Sequence, residues 1–206
     1  TLSSDYPVSP TISKFLIQNS RICYFCITFA DMESMNLGAD VKPVNYTINV
    51  RGQLLDLSHP LVMGIINVTP DSFFAGSRVQ TEEDIRQRAH EIVAEGAKII
   101  DVGACSTRPD SDPVSAEEEM NRLAFALPII REAEPEAIIS IDTFHASIAR
   151  CTVEEFGADI INDVEEGKDP EMFPTVAELG TPYILMSTAA NLHDMLINFS
   201  REVQEL

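Results

Sequence analysis

The sequence predicts an α/β fold, a (β/α)8 barrel that is incomplete here, with about five βα units after an N-terminal hairpin. Short apolar, β-rich runs alternate with helical patterns from Leu61 onward. Each run carries polar residues at its C-terminal end, namely Asn67, Asp101, Asp142, Asn162 and, more weakly, Met186 with Ser187. In a barrel those ends converge on one mouth, where groups from several strands act together. Two rival explanations stand beside this one. Asp and Asn also cap the helices that follow strands, and five βα units could form an open doubly wound sheet, since a full barrel takes about 250 residues. The chemistry at the strand ends favours the barrel.

Tyr46–Val50, Arg51-Gly52 and Gln53–Leu57 read as a hairpin turned at Gly52, placed to plug one end of the domain. Leu61–Ile66 is the first core strand, and Asn67-Val-Thr-Pro-Asp-Ser-Phe73 leaves it. Thr81-Glu-Glu-Asp84 opens a helix with Ile85, Ala89, Ile92 and Val93 on one face and Gly96 as its stop. Lys98–Val102 is the second strand, followed by the polar loop Gly103–Pro109. Ser115 with Glu118 caps a helix whose buried stripe is Met120, Leu123, Leu127 and Ile130, with Pro128 placed to kink it. Ala137–Ile141 delivers Asp142-Thr143, and Ile148, Val153 and Phe156 mark a helix ending at Gly157. Ala158–Ile161 ends on Asn162-Asp163; Asp169-Pro170 reads as cap and first-turn proline of a helix ending at Gly180. Pro182–Met186 is the fifth strand, and Leu192, Met195, Leu196, Phe199 and Val203 line a last amphipathic stretch.

A chain of 206 residues, 45% hydrophobic, can bury a substantial core. Its 33 acidic against 14 basic residues give a net charge of −19, which argues against nucleic acid as a partner. Any anionic ligand must be held by a few local cations, a metal or backbone N–H groups. No run approaches the roughly 20 apolar residues of a membrane span. Cys23 and Cys26 form a C-x-x-C without the second pair a zinc site needs, and reduced thiols suit a cytoplasmic protein. Residues 1–44 read as a leader or poorly ordered extension that adds nothing to the fold, and 45–206 as the N-terminal part of the barrel domain.

Four motifs together, Asn67–Phe73, Ile99-Ile-Asp-Val-Gly103 with Ser106-Thr-Arg-Pro109, Ser140-Ile-Asp-Thr143, and Gly157-Ala-Asp-Ile-Ile-Asn-Asp-Val164, resemble dihydropteroate synthase of the folate pathway. The resemblance runs from about Tyr46 to the end. It implies a (β/α)8 barrel transferase that joins 6-hydroxymethyl-7,8-dihydropterin pyrophosphate to p-aminobenzoate, with Mg²⁺, releasing pyrophosphate; sulfonamides mimic the second substrate. It places Asp142 and Asn162 in the pterin pocket, with Asp101 either assisting there or orienting a neighbour, and Met186 among the substrate-binding residues. Asn67 would approach Mg²⁺ with its amide oxygen, a hard donor suited to that ion. Thr107 would contact the pyrophosphate, and Arg108 and Phe73 would enclose p-aminobenzoate. A homodimer of the full-length protein is implied as well.

The sequence departs from the family pattern at Phe74-Ala75-Gly76, at Gly103-Ala104-Cys105-Ser106 and at Ser187-Thr188, so two loop carboxylates and a His-Met are replaced. The resemblance also implies an Asp, a Lys, an Arg and a His from the sixth to eighth strands, beyond the span matched here. The 206 residues alone are therefore expected to be inactive, because an unclosed barrel exposes sheet edges and apolar faces. A pterin-binding methyltransferase domain shares the barrel and the strand-end Asp and Asn but needs no pyrophosphate loop. A non-catalytic pterin-binding protein is the reading from another class.

Overall fold

The computed structural model describes residues 22–25, 47–69, 81–105 and 114–186. Twelve elements follow in chain order: β1 (Ile22–Phe25), β2 (Thr47–Val50), β3 (Gln53–Asp56), β4 (Leu61–Asn67), α1 (Glu82–Ala94), β5 (Ile99–Gly103), α2 (Ala116–Ala133), β6 (Ile138–Asp142), α3 (Ala146–Phe156), β7 (Ile160–Asp163), α4 (Met172–Leu179) and β8 (Tyr183–Leu185).

Strands β4 to β8 are parallel and lie side by side in chain order. A doubly wound sheet reverses its strand order at a switch point; these five strands do not reverse, and α1 to α4 pack successively on one another. That is the arrangement of a (β/α)8 barrel wall with its outer ring of helices. On the β4 edge, β1 pairs antiparallel, Ile22 opposite Gly64 and Phe25 opposite Leu61. This strand falls within the stretch read as an extension.

Side chains alternate across the sheet. The outer-facing Ile66, Ile100, Val102, Ile139, Ile141 and Ile161 are buried against Ile85, Ala89, Ile92, Leu123, Leu127, Ile130 and Met172 of the helices. Each such isoleucine or leucine contributes about 1.5–3 kcal/mol on burial. The inner face holds a second, smaller cluster, Met63, Ile99 and Ile160, against which Ile48 of the hairpin packs. The hairpin thus plugs the N-terminal end of the sheet, as its sequence suggests. Its turn uses left-handed φ at both Arg51 (51°) and Gly52 (75°), the two-residue turn that matches strand twist.

Arg51 pins this plug. Its Nε and Nη2 donate to the two oxygens of Asp159 at 2.5 and 2.6 Å, and Nη2 also reaches Ala137 O at 2.8 Å. From α2, Arg131 donates to Asp159 Oδ2, Ala137 O and Gly157 O. Burial works against the Asp159 charge, yet Arg51, the Ile139 N–H and Arg131 outweigh it and hold its pKa below the ordinary carboxylate value.

Helix starts follow the sequence in two cases of three. Thr81 and Asp84 form a reciprocal capping box, and Ser115 accepts from Glu118 N. Helix α2 runs on through Pro128. The start expected at Asp169-Pro170 is displaced: α4 begins at Met172 with Glu171 as N-cap. The carboxylate of Asp169 accepts from Glu171 N and, across the wall, from Ala146 N at 2.9 Å, the first residue of α3. Asp169 therefore caps its neighbour's helix.

Candidate functional site

The ladder fixes one row across the C-terminal ends of the strands. Asn67 of β4 lies opposite Gly103 of β5, Gly103 opposite Asp142 of β6, Asp142 opposite Asn162 of β7, and Asn162 opposite Ile184 of β8. Two residues back on the same face run Ile65, Asp101, Ser140 and Ile160. The alternation of the pleat puts Asn67, Asp101, Asp142 and Asn162 on the inner face together. None of the four caps a helix; the N-caps are Thr81, Ser115, His145 and Glu171. The capping explanation of the strand-end Asp and Asn fails.

Asp101 is buried, 3% exposed, and accepts from Ser140 Oγ at 2.6 Å and Asn162 Nδ2 at 3.1 Å. A carboxylate takes the amide's N–H, so the amide oxygen of Asn162 is turned toward other donors. Burial raises the Asp101 pKa, opposed by those two hydrogen bonds. Asp142 stands well above the ordinary carboxylate value, first through burial and then through the charges of Asp101, Glu119 and Asp163. As a whole the residue is half-buried.

Gly103 makes room for this convergence. A methyl group there would come within 3.1 Å of Asn67 Oδ1 and 3.3 Å of Asp142 Oδ2. An amide oxygen and a carboxylate oxygen thus meet over one glycine. Asp163, fully buried, accepts from Tyr183 OH at 2.7 Å and from the N–H groups of Glu165 and Gly167, and so shapes the loop after β7. Met186 follows β8 directly, partly exposed, its N–H on Asp163 O at 2.9 Å. Phe73, Thr107 and Arg108 lie outside the described residues.

The sequence reading missed Glu119. It sits in an acidic first turn, Glu117, Glu118 and Glu119, which normally faces water, yet it is fully buried beside the row. Its partners, Thr143 and His145, are 24 and 26 positions away. The one visible signal is its place four residues before the core residue Leu123, on the same face of the helix.

A cavity of about 510 Å³ opens at the opposite end, lined by Asn49, Arg51, Arg131, Asp159, Thr181 and Pro182 among others. Its arginines are already engaged by Asp159 and by carbonyls, and helices α3 and α4 end there. It is a seam under the hairpin, remote from the strand-end row.

The sequence model of the family described as pterin binding enzyme matches residues 63–204. The chain belongs to that family. Among curated relatives it is 42% identical over 148 residues to a mitochondrial folate synthesis bifunctional protein of Arabidopsis thaliana, covering 69% of this chain and 26% of that protein. It is 46% identical over 126 residues to a dihydropteroate synthase of Streptococcus pyogenes, covering 61% of this chain and 47% of that one. Among solved structures, dihydropteroate synthase of Xanthomonas albilineans with 4-aminobenzoic acid superposes with a TM-score of 0.63 at 34% identity, covering 78% of this chain and 59% of that one. A Yersinia pestis dihydropteroate synthase in a sulfonamide complex gives 0.65 at 30%, covering 77% and 62%. The chain thus spans about half or less of these two curated relatives' length, and the strand-end row belongs to a pterin-binding barrel.

Proposed function

We propose that the barrel to which this chain contributes is that of a dihydropteroate synthase, a transferase that joins 6-hydroxymethyl-7,8-dihydropterin pyrophosphate to p-aminobenzoate and releases pyrophosphate. The observation that carries the reading is the register row Asn67, Gly103, Asp142, Asn162, backed by Asp101. Solved relatives bearing that name hold 4-aminobenzoic acid in one case and a sulfonamide in another.

The pterin's aminopyrimidine edge offers adjacent N–H donors, which an ionised Asp142 accepts as charge-assisted bonds. Those donors stabilise the very charge that burial and neighbouring carboxylates resist, so pterin binding favours the ionised form of Asp142. Asp101 holds the Asn162 amide with its oxygen facing the ring. Asn67, at the far end of the row, faces the diphosphate. Mg²⁺ suits this end: the Asn67 amide oxygen, with a carboxylate oxygen of Asp142 nearby, offers hard donors to an ion that otherwise keeps phosphate oxygens and water. When bound it would neutralise charge on the departing pyrophosphate. In the reaction the methylene–oxygen bond breaks with its electron pair leaving on pyrophosphate, and the arylamine nitrogen attacks the methylene and then sheds a proton. Thr107 on the pyrophosphate, Arg108 and Phe73 around p-aminobenzoate, and Met186 against the pterin complete the reading.

The test uses the protein as its gene encodes it, incubated with both substrates and Mg²⁺. Equimolar dihydropteroate and pyrophosphate are expected. Tight binding of methyltetrahydrofolate without condensation would assign the barrel to methyl transfer instead. A homodimer belongs to the same reading and is checked by sedimentation. The cytoplasmic assignment rests on reduced thiols; relatives from Arabidopsis thaliana and Pisum sativum are described as mitochondrial, and cell fractionation decides.

A further inference from the structure

Beside the row, α2 presents a carboxylate that the proposed chemistry does not use. Glu119 is 0% exposed. Its Oε1 accepts from Thr143 Oγ1 at 2.7 Å; its Oε2 lies 2.8 Å from His145 Nδ1 and accepts from Cys105 Sγ at 3.2 Å. These partners come from two strand exits: Cys105 stands two residues past β5, Thr143 one residue past β6, and His145 is the N-cap of α3. One turn further along α2, Arg122 donates to Ala104 O at 2.9 Å while paired with Glu118. The start of α2 therefore grips Ala104 by a cation on its carbonyl and Cys105 by a carboxylate on its thiol.

A buried carboxylate costs several kcal/mol unless donors replace its water, and a well-packed apolar residue would avoid the cost. Its presence here is explained by what it holds. We propose that Glu119 is a positioning residue for the arylamine side of the reaction, clamping the exit of β5 to the exit of β6 and so fixing Ala104 and Cys105 relative to Thr143 and His145. This rests on the dihydropteroate synthase reading, which assigns Thr107 and Arg108 to the substrates. Asp142 and Asn162 sit in strands bonded on both sides, so losing the clamp leaves them in place. Ala104 and Cys105 lie past the last ladder pair of β5, where side-chain grips succeed sheet bonds. The Cys105 thiol serves as a donor: burial, then the nearby Glu119, push its pKa up to about 12, so it stays protonated.

The experiment compares wild type, Glu119→Ala and Glu119→Gln in the protein as its gene encodes it. For Glu119→Ala, KM for p-aminobenzoate should rise about 10-fold with a fall in kcat, while affinity for 6-hydroxymethylpterin, which lacks the diphosphate, should hold or tighten, because the Glu119 charge that opposes an ionised Asp142 is gone. Glu119→Gln keeps an acceptor for Thr143 and loses the carboxylate at Cys105 and His145, so it should fall between; being nearly isosteric, it carries the test if the alanine variant does not fold. Wild-type KM values in both variants would overturn the clamp and leave the enzymatic reading standing. Parallel losses of pterin affinity, arylamine KM and melting temperature would make Glu119 a packing residue and overturn it too. A wild-type protein that forms no dihydropteroate overturns the reading beneath, and this role with it.

Discussion

The two ends of the same sheet solve opposite electrostatic problems. At the C-terminal rim Asp101, Glu119 and Asp163 take hydroxyl, amide, thiol, imidazole and backbone donors, and their charges bear on Asp142. Burial and mutual repulsion raise the pKa of Asp101 and Asp142. At the N-terminal base Asp159 is gripped by Arg51 and Arg131, and its pKa is lowered. The base uses charge to fasten the hairpin plug. At the rim burial and neighbouring charge oppose an ionised Asp142, and the proposed pterin, rich in N–H donors, would relieve it. On the proposed function, stability and binding fall to different ends of the same strands.

The largest expected effect separates them at the rim. Asp142→Asn should lower kcat/KM about 10³-fold or more by removing a charge-assisted pair of acceptors. Its melting temperature should hold or rise, because a repelled carboxylate is gone; a large drop in melting would erase the contrast. The mirror experiment is Asp159→Asn, which leaves two arginines without their anion. It should destabilise by about 2–3 kcal/mol, discounted because both arginines are partly exposed, with kcat within about 2-fold of wild type. Denaturant melts and steady-state kinetics read the two halves. A smaller effect is expected at the rim's empty position: Gly103→Ala pushes on Asn67 and Asp142 and should cost about 10-fold in kcat/KM, near 1.4 kcal/mol, with little change in melting.

The subtlest test is pH. Asp101 and Asp142 have raised folded pKa values, so the fold binds more protons than the unfolded chain. Their contribution to stability is complete below the ordinary carboxylate value and is lost as pH rises toward their folded values. Asp159 is depressed, so its contribution is complete above that ordinary value and is lost as pH falls through its folded pKa. Stability measured from neutrality downward should therefore first rise and then drop. Asp142→Asn should flatten the rise and Asp159→Asn the drop, each by on the order of 1 kcal/mol. Pterin affinity should weaken as acid protonates Asp142.

Much of the wall was legible because it depends on local pattern. The alternation of apolar runs and helical stripes located all five parallel strands, and Thr81 and Ser115 announced their helices because a cap and its N–H partner are three residues apart. The inner-face residues Asn67, Asp101, Asp142 and Asn162 could be named from strand ends, but which residue faces which needed the register. What escaped was long-range. Arg51 and Asp159 are 108 positions apart, and nothing near Arg51 signals that a hairpin turn will end in a buried carboxylate. Asp169-Pro170 carries the signature of a helix start, yet Ala146 claims its side chain from 23 positions away. Glu119 looked solvated because its neighbours Glu117 and Glu118 are.

The register row also acts as a ruler. Neighbouring strands stand about 4.8 Å apart, so three intervals separate Asn67 from Asn162, at most about 14 Å along a curving rim. That distance is set by backbone hydrogen bonds, which no side-chain exchange can stretch. A ligand that grips both ends must match it. Lengthening the tether between a flat ring and its anionic tail should therefore cost such a molecule one anchor or the other, whatever the loops above do to welcome it.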